Sequence, residues 1–106
     1  MGESCPGEGT AMAAYVLIEL EIDDRSWLAS YVPPVEQLIK KHGGRYIARA
    51  FEYEQVEGNR RPDVVVILEF PSMDAARAWY NDPAYEPHLK ARLAGSKSDL
   101  YLVPGE

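Results

Sequence analysis

Arg49 and Glu69 fall in two stretches that read as neighbouring strands. A guanidinium beside a carboxylate can clamp an anion or pass a proton, and Glu69 is the candidate acid or base of such a pair. The two groups would serve equally as an ion pair in a covered interface, because charges shut away from water need partners. Tyr85, His88 and Arg92 follow one another at helical spacing, so on a helix they share a face. His88 is a candidate proton carrier near neutral pH. Arg92 is a candidate holder of a carboxylate or enolate oxygen, and Trp79 stands somewhat more than a turn before Tyr85. The plainer alternative makes Tyr85, Leu89 and Leu93 the core stripe, with His88 and Arg92 flanking it towards solvent. Trp27 and Tyr31 precede Pro33-Pro34. A helix broken there beside large aromatics leaves either a flat cleft for a small unsaturated molecule or simply a bulky core. Tyr31 and Tyr85 each carry a hydroxyl that needs a partner if buried, and a ligand would supply one.

Other chemistries lack their residues. His42 and His88 are far apart and stand in no metal-ligand spacing, so no metal site is expected. His88 is the only axial ligand that a haem would find on the second helix, and no cofactor is expected. His42 precedes Gly43-Gly44 at a helix end, where a cation complements the dipole. That glycine pair follows a helix rather than opening one, so it is a cap and not a phosphate loop. No Ser/His/Asp or Cys/His nucleophile pattern stands out.

The elements that must position these groups follow from periodicity. Tyr15 to Ile22 alternates, with Val16, Ile18, Leu20 and Ile22 on one face and Tyr15, Leu17, Glu19 and Glu21 on the other, which makes a strand. Asp23 and Asp24 are N-cap types and predict a helix start. Trp27, Tyr31, Val35 and Leu38 form its stripe, and Pro33-Pro34 should kink or break it. Arg45 to Glu57 reads as a long second strand, followed by a turn-rich connector. Asp63 to Phe70 is nearly all apolar and reads as a central third strand. Ser72 predicts a cap for a helix reaching about Leu93 and interrupted near Asp82-Pro83. Leu100 to Val103 predicts a short last strand. The order βαββαβ gives an α+β, ferredoxin-like fold: a four-stranded antiparallel sheet with two helical segments on one face. The open face would carry Leu17, Glu19, Ile47, Arg49, Phe51, Val65, Ile67 and Glu69. That is too apolar to stay wet, and a second copy of the same sheet is the simplest cover.

Composition narrows the classes. The 106 residues carry 11 basic and 17 acidic side chains, a net charge of −6. No nucleic acid is expected as a partner, because that binding needs a basic face. An anionic membrane is equally disfavoured, and no apolar run reaches the ~20 residues of a membrane helix. Cys5 is the only cysteine, so no internal disulfide forms, and a cytoplasmic setting is expected. Residues 1–12 read as a disordered leader or upstream extension, with Met12 an alternative start. Residues 13–106 read as a single domain.

Four segments in order carry a resemblance: Gly43 to Arg49, Val56 to Gly58, Val66 to Ser72 and Trp79 to Tyr85. Together they resemble the bacterial domain-of-unknown-function 1330 family, over about Ala13 to Gly105. The resemblance implies a dimeric α+β barrel, two ferredoxin-like sheets packed face to face, and it includes an arginine at position 92. It implies no reaction. The wider superfamily includes cofactor-free quinol monooxygenases, muconolactone isomerase-like enzymes, haem-degrading enzymes and ligand-sensing domains, so fold does not translate into function. The expectation is a homodimer that binds a small organic acid or aromatic carbonyl compound, acting as a cofactor-independent enzyme or as a binding module without turnover. Glu69 and His88 are the candidate catalytic residues. Tyr31, Arg49, Trp79, Tyr85 and Arg92 are the candidate ligand-binding residues.

Overall fold

A computed structural model describes residues 13–106, so Cys5, the leader and the start at Met12 lie outside the described residues. The chain runs β1 (Ala14–Ile22), α1 (Leu28–Lys41), β2 (Arg45–Ala50), β3 (Val64–Phe70), α2 (Met73–Tyr80), α3 (Glu86–Gly95) and β4 (Ser96–Pro104). The strands form one antiparallel sheet in the order β2-β3-β1-β4. This is the expected α+β, ferredoxin-like arrangement.

Period-two alternation decides which side of the sheet is buried. Ala14, Val16, Ile18 and Leu20 of β1 and Val64, Val66, Leu68 and Phe70 of β3 face the helices and form the core floor with Trp27, Val35, Ile39, Ala76, Trp79 and Tyr85. The alternate residues, among them Leu17, Val65 and Ile67, lie half-exposed on the open side.

Helix α1 starts later than Asp23 and Asp24 suggest. The Asp24 carboxylate accepts from the Ser26 N–H at 2.9 Å, and the amides of Asp23 and Asp24 both donate to the Gly95 carbonyl at 3.0 Å. The aspartates therefore build a turn locked to the end of α3. A Cβ at Gly95 would run into the Trp27 indole, so only glycine allows this approach. The expected break at Pro33-Pro34 does not occur, and α1 continues through both prolines. Their missing N–H groups would have served the carbonyls of Ala29 and Ser30, and both residues are exposed, where water can take over. The helix ends as expected at Gly43, with φ at +82°. Gly43 N–H donates to the Lys40 carbonyl and Gly44 N–H to that of Ile39, a Schellman arrangement.

Strand β2 is much shorter than Arg45 to Glu57. It carries a bulge at Ile47, between the Tyr46–Leu68 and Ala48–Ile67 pairs. Residues 51–63 instead form a loop closed by its own contacts: Tyr53 Oη donates to the Pro62 carbonyl at 2.6 Å, and the Arg61 guanidinium lies over the Tyr53 ring. Strand β4 is longer than expected, because the polar run Ser96 to Asp99 pairs with Glu19 to Ile22. Ser72 caps α2 as expected, its Oγ accepting from the Ala75 N–H at 3.0 Å.

Candidate functional site

A cavity of about 70 Å³ lies between α1 and the helix-facing side of the sheet. Its floor is aliphatic, from Ile18, Leu20, Val64, Val66 and Leu68, and its polar groups come from Tyr31, Tyr46, Arg49, Trp79 and Arg92. Trp79 sits in the last turn of α2, before the Asn81–Tyr85 corner. Arg92 is on α3, aimed back towards β4, where its Nη1 donates to Ser98 Oγ at 2.6 Å.

Arg92 is the unusual group. It is 2% exposed, and its guanidinium is always charged. Among the described residues it has no carboxylate partner, and its Nε–H has no hydrogen-bond partner. The Nε1–H of Trp79, a residue of 0% exposure, is likewise unpaired. Two buried donors without acceptors thus belong to residues lining one apolar space. An unpaired buried donor costs about 1–3 kcal/mol, and a charged one more, so the arrangement is costly unless an acceptor enters.

An aromatic group surrounds these donors. Tyr85 stacks beside Trp79 with centroids 4.8 Å apart, and its hydroxyl is hydrogen-bonded to that of Tyr31 at 2.7 Å. Burial, and next the neighbouring Tyr85, push the Tyr31 phenol well above its ordinary range, although the Arg92 charge pulls the other way. Burial also raises the Tyr46 phenol against the opposing pull of Arg49. Both phenols therefore stay protonated at neutral pH and serve as hydrogen-bonding groups, not bases. At the outer end the Arg49 guanidinium lies 4.6 Å from the Tyr46 ring centroid, a cation–π contact, beside Phe51, which is 55% exposed.

Four of the five residues singled out as ligand-binding, Tyr31, Arg49, Trp79 and Arg92, line this cavity, and the fifth, Tyr85, is bonded to Tyr31. The two singled out for catalysis do not join them. Glu69 does not meet Arg49. It pairs across the strands with Arg45, and the two side chains form an ion pair at 2.9 Å. The cause is the bulge at Ile47. The extra residue inverts the alternation beyond it, so Arg49 stands opposite Val66 on the helix side while Glu69 remains on the open side. His88 is half-buried on α3 and does not line the cavity. Arg92 lies inside and not at a solvent-facing flank. Tyr46 was missed by sequence reasoning, and the signal was simple alternation, since a strand that puts Ile47 on the open face puts Tyr46 on the helix side, opposite Leu68. No group of three His, Cys, Asp or Glu side chains gathers as for a metal ion among the described residues. No described helix is long and apolar enough to cross a membrane.

Asp82 fixes the corner between α2 and α3. Its carboxylate accepts from His42 Nε2 at 2.8 Å, Lys41 Nζ at 3.0 Å and the Ala84 N–H at 2.9 Å. The hydrogen bond with His42, then those from Ala84 and Lys41, hold it well below the usual carboxylate range. The corner thereby ties the end of α1 to the turn that delivers Tyr85.

Solved structures with this architecture are distant in sequence. A protein of unknown function from Rhodopseudomonas palustris superposes with a TM-score of 0.77 at 19% identity, covering 90% of this chain and 83% of its own. SnoaB, a cofactor-independent oxygenase from Streptomyces nogalater, superposes with a TM-score of 0.62 at 17% identity, covering 91% and 95%. A conserved protein of unknown function from Bacteroides thetaiotaomicron, described as a possible oxidoreductase, gives 0.53 at 12% identity over 88% and 97%. At such identities the likeness establishes the fold alone. No curated protein matches the chain. The model of one family, described as a domain of unknown function (DUF1330), matches residues 13–106, and this chain belongs to that family.

Proposed function

We propose that this protein binds a small organic acid as its anion in the cavity beneath α1. The observation that carries the reading is the pair of buried donors without acceptors, Arg92 Nε–H and Trp79 Nε1–H. One carboxylate supplies both the missing acceptor and the missing negative charge. The aromatic and aliphatic lining suits the apolar remainder of the acid. The free space of the cavity is about 70 Å³, so the buried part of the ligand is small.

No carboxylate or imidazole lines the cavity. That favours binding without turnover, because proton transfer needs a group whose affinity lies near the working pH. The fold likeness to SnoaB supports a second reading, a cofactor-independent oxygenase whose substrate arrives already as its anion and is held by Arg92 and Trp79. Oxygen uptake on adding such a substrate separates the two. In either reading the working form is a homodimer joined through the open sheet faces.

Thermal-shift titration with acetate, butyrate and benzoate tests the reading. A ligand at a hundred times its dissociation constant stabilises the native state by roughly 2.7 kcal/mol. Arg92→Met should abolish the shift while the unliganded protein stays folded and at least as stable. Removing an unpaired buried charge is not destabilising. Unchanged binding by the variant would defeat the proposal.

A further inference from the structure

Three arginines elsewhere in the chain have carboxylate partners, while Arg25 and Arg61 have none among the described residues and lie off the cavity. Arg45 pairs with Glu69, Arg60 with Glu19 and Asp99, and Arg77 with Asp74. Arg49 and Arg92 have none among the described residues, and both line the cavity. In a protein of net charge −6, two unneutralised guanidinium groups on one small space call for an explanation.

They also stand at opposite ends. Arg92 is tied to Ser98 on β4, one edge strand, and Arg49 belongs to β2, the other edge strand. Three strand spacings separate those edges, about 14 Å between backbones. The two long side chains shorten the gap between charges. The aliphatic floor from β1 and β3 lies between them. Arg92 is buried and Arg49 is exposed at the outer end, beside Phe51. The cavity is partly open to solvent, and its free space is about 70 Å³. A ligand held at both ends must therefore straddle the opening.

We propose that the ligand is a dianion, a short dicarboxylic acid. One carboxylate meets Arg92 and Trp79 inside, the methylene chain crosses the aliphatic floor, and the second carboxylate meets Arg49 at the mouth. This rests on the anion-binding reading and narrows it. The bulge at Ile47 acquires a purpose: without the inverted alternation, Arg49 would face away from the cavity.

The test is calorimetric titration of the full chain with succinate and glutarate against butyrate and valerate. The dicarboxylates should bind about fivefold tighter than monocarboxylates of equal carbon count, the scale of one exposed charge pair. Arg49→Gln should erase that preference, Arg49→Lys should keep part of it, and Arg77→Gln, a charge-matched change off the cavity, should leave it intact. Arg49 is exposed, and circular dichroism of the variants should match the parent. Equal affinity for the two acid series overturns the inference and leaves the anion-binding reading standing. A preference that survives Arg49→Gln overturns it too. Silence with every acid overturns both.

Discussion

At the scale of single residues, the Tyr31–Tyr85 hydroxyl pair bridges α1 and the start of α3. Tyr31→Phe leaves the Tyr85 hydroxyl, on a residue of 0% exposure, without a partner, which should cost about 1–3 kcal/mol in urea unfolding. The double variant Tyr31→Phe with Tyr85→Phe should cost less than the two single changes together, because no orphan remains. Additive costs would mean that the bond contributes nothing. The titration gives a second readout. Burial raises the Tyr31 phenol above its ordinary value of 10.0, so the unfolded chain loses its proton first. The stabilisation is complete below pH 10 and is lost as pH climbs beyond it. The alkaline decline should be shallower in Tyr31→Phe. These side chains were legible in the sequence because aromatic and basic residues at helical spacing point to one face whatever surrounds them. Glu69 and His88 were chosen for their chemistry alone, and a carboxylate or imidazole carries no mark of which side of an element it faces.

The elements explain why the Arg49–Glu69 pair was misjudged. Alternation is a local rule, and one inserted residue reverses everything after it. Nothing in Arg45-Tyr46-Ile47-Ala48-Arg49 announces the insertion, since it contains no glycine or proline. Helix ends were easier to read, because Gly43 and Ser72 act through their own backbone or side chain. The long β4 was hidden by its polar first half, which a strand can hold when only one neighbour pairs with it. The α2–α3 corner rests on Asp82, whose side chain is 8% exposed. Its carboxylate is held below its ordinary value of 3.8, so its contribution is complete above pH 4 and fades as the solution is acidified further. Asp82→Asn should lower the melting temperature at pH 6 and narrow the gap to the parent as pH falls towards 2. A constant gap across that range would show that the corner is held by packing and not by the charge. Loosening there should reach Tyr85, three residues on, and so weaken the Tyr31 contact.

For the whole molecule the unsettled surface is the open side of the sheet. Tyr15, Leu17, Val65, Ile67, Tyr101 and Val103 share it, and Tyr101 and Val103 are 48% and 43% exposed in the isolated chain. A continuous apolar face of this kind is stable in water only when covered. At one end Glu19 stands directly opposite Asp99, and like charges so placed repel. Arg60, delivered by the 51–63 loop across the sheet, binds both carboxylates, which relieves their repulsion and offsets one of the two charges before any partner arrives. The face is therefore apolar in the middle and carries paired charges at the rim, the pattern of a surface that meets its own copy. Sedimentation at micromolar concentration should give a dimer. Ile67→Glu should give a folded monomer, because a two-fold axis brings two new carboxylates into one dry interface. The cavity lies on the other side of the sheet, so the monomer should still bind small acids. A parent protein that sediments as a monomer would remove the dimer from the account and leave the cavity's ligand chemistry untouched.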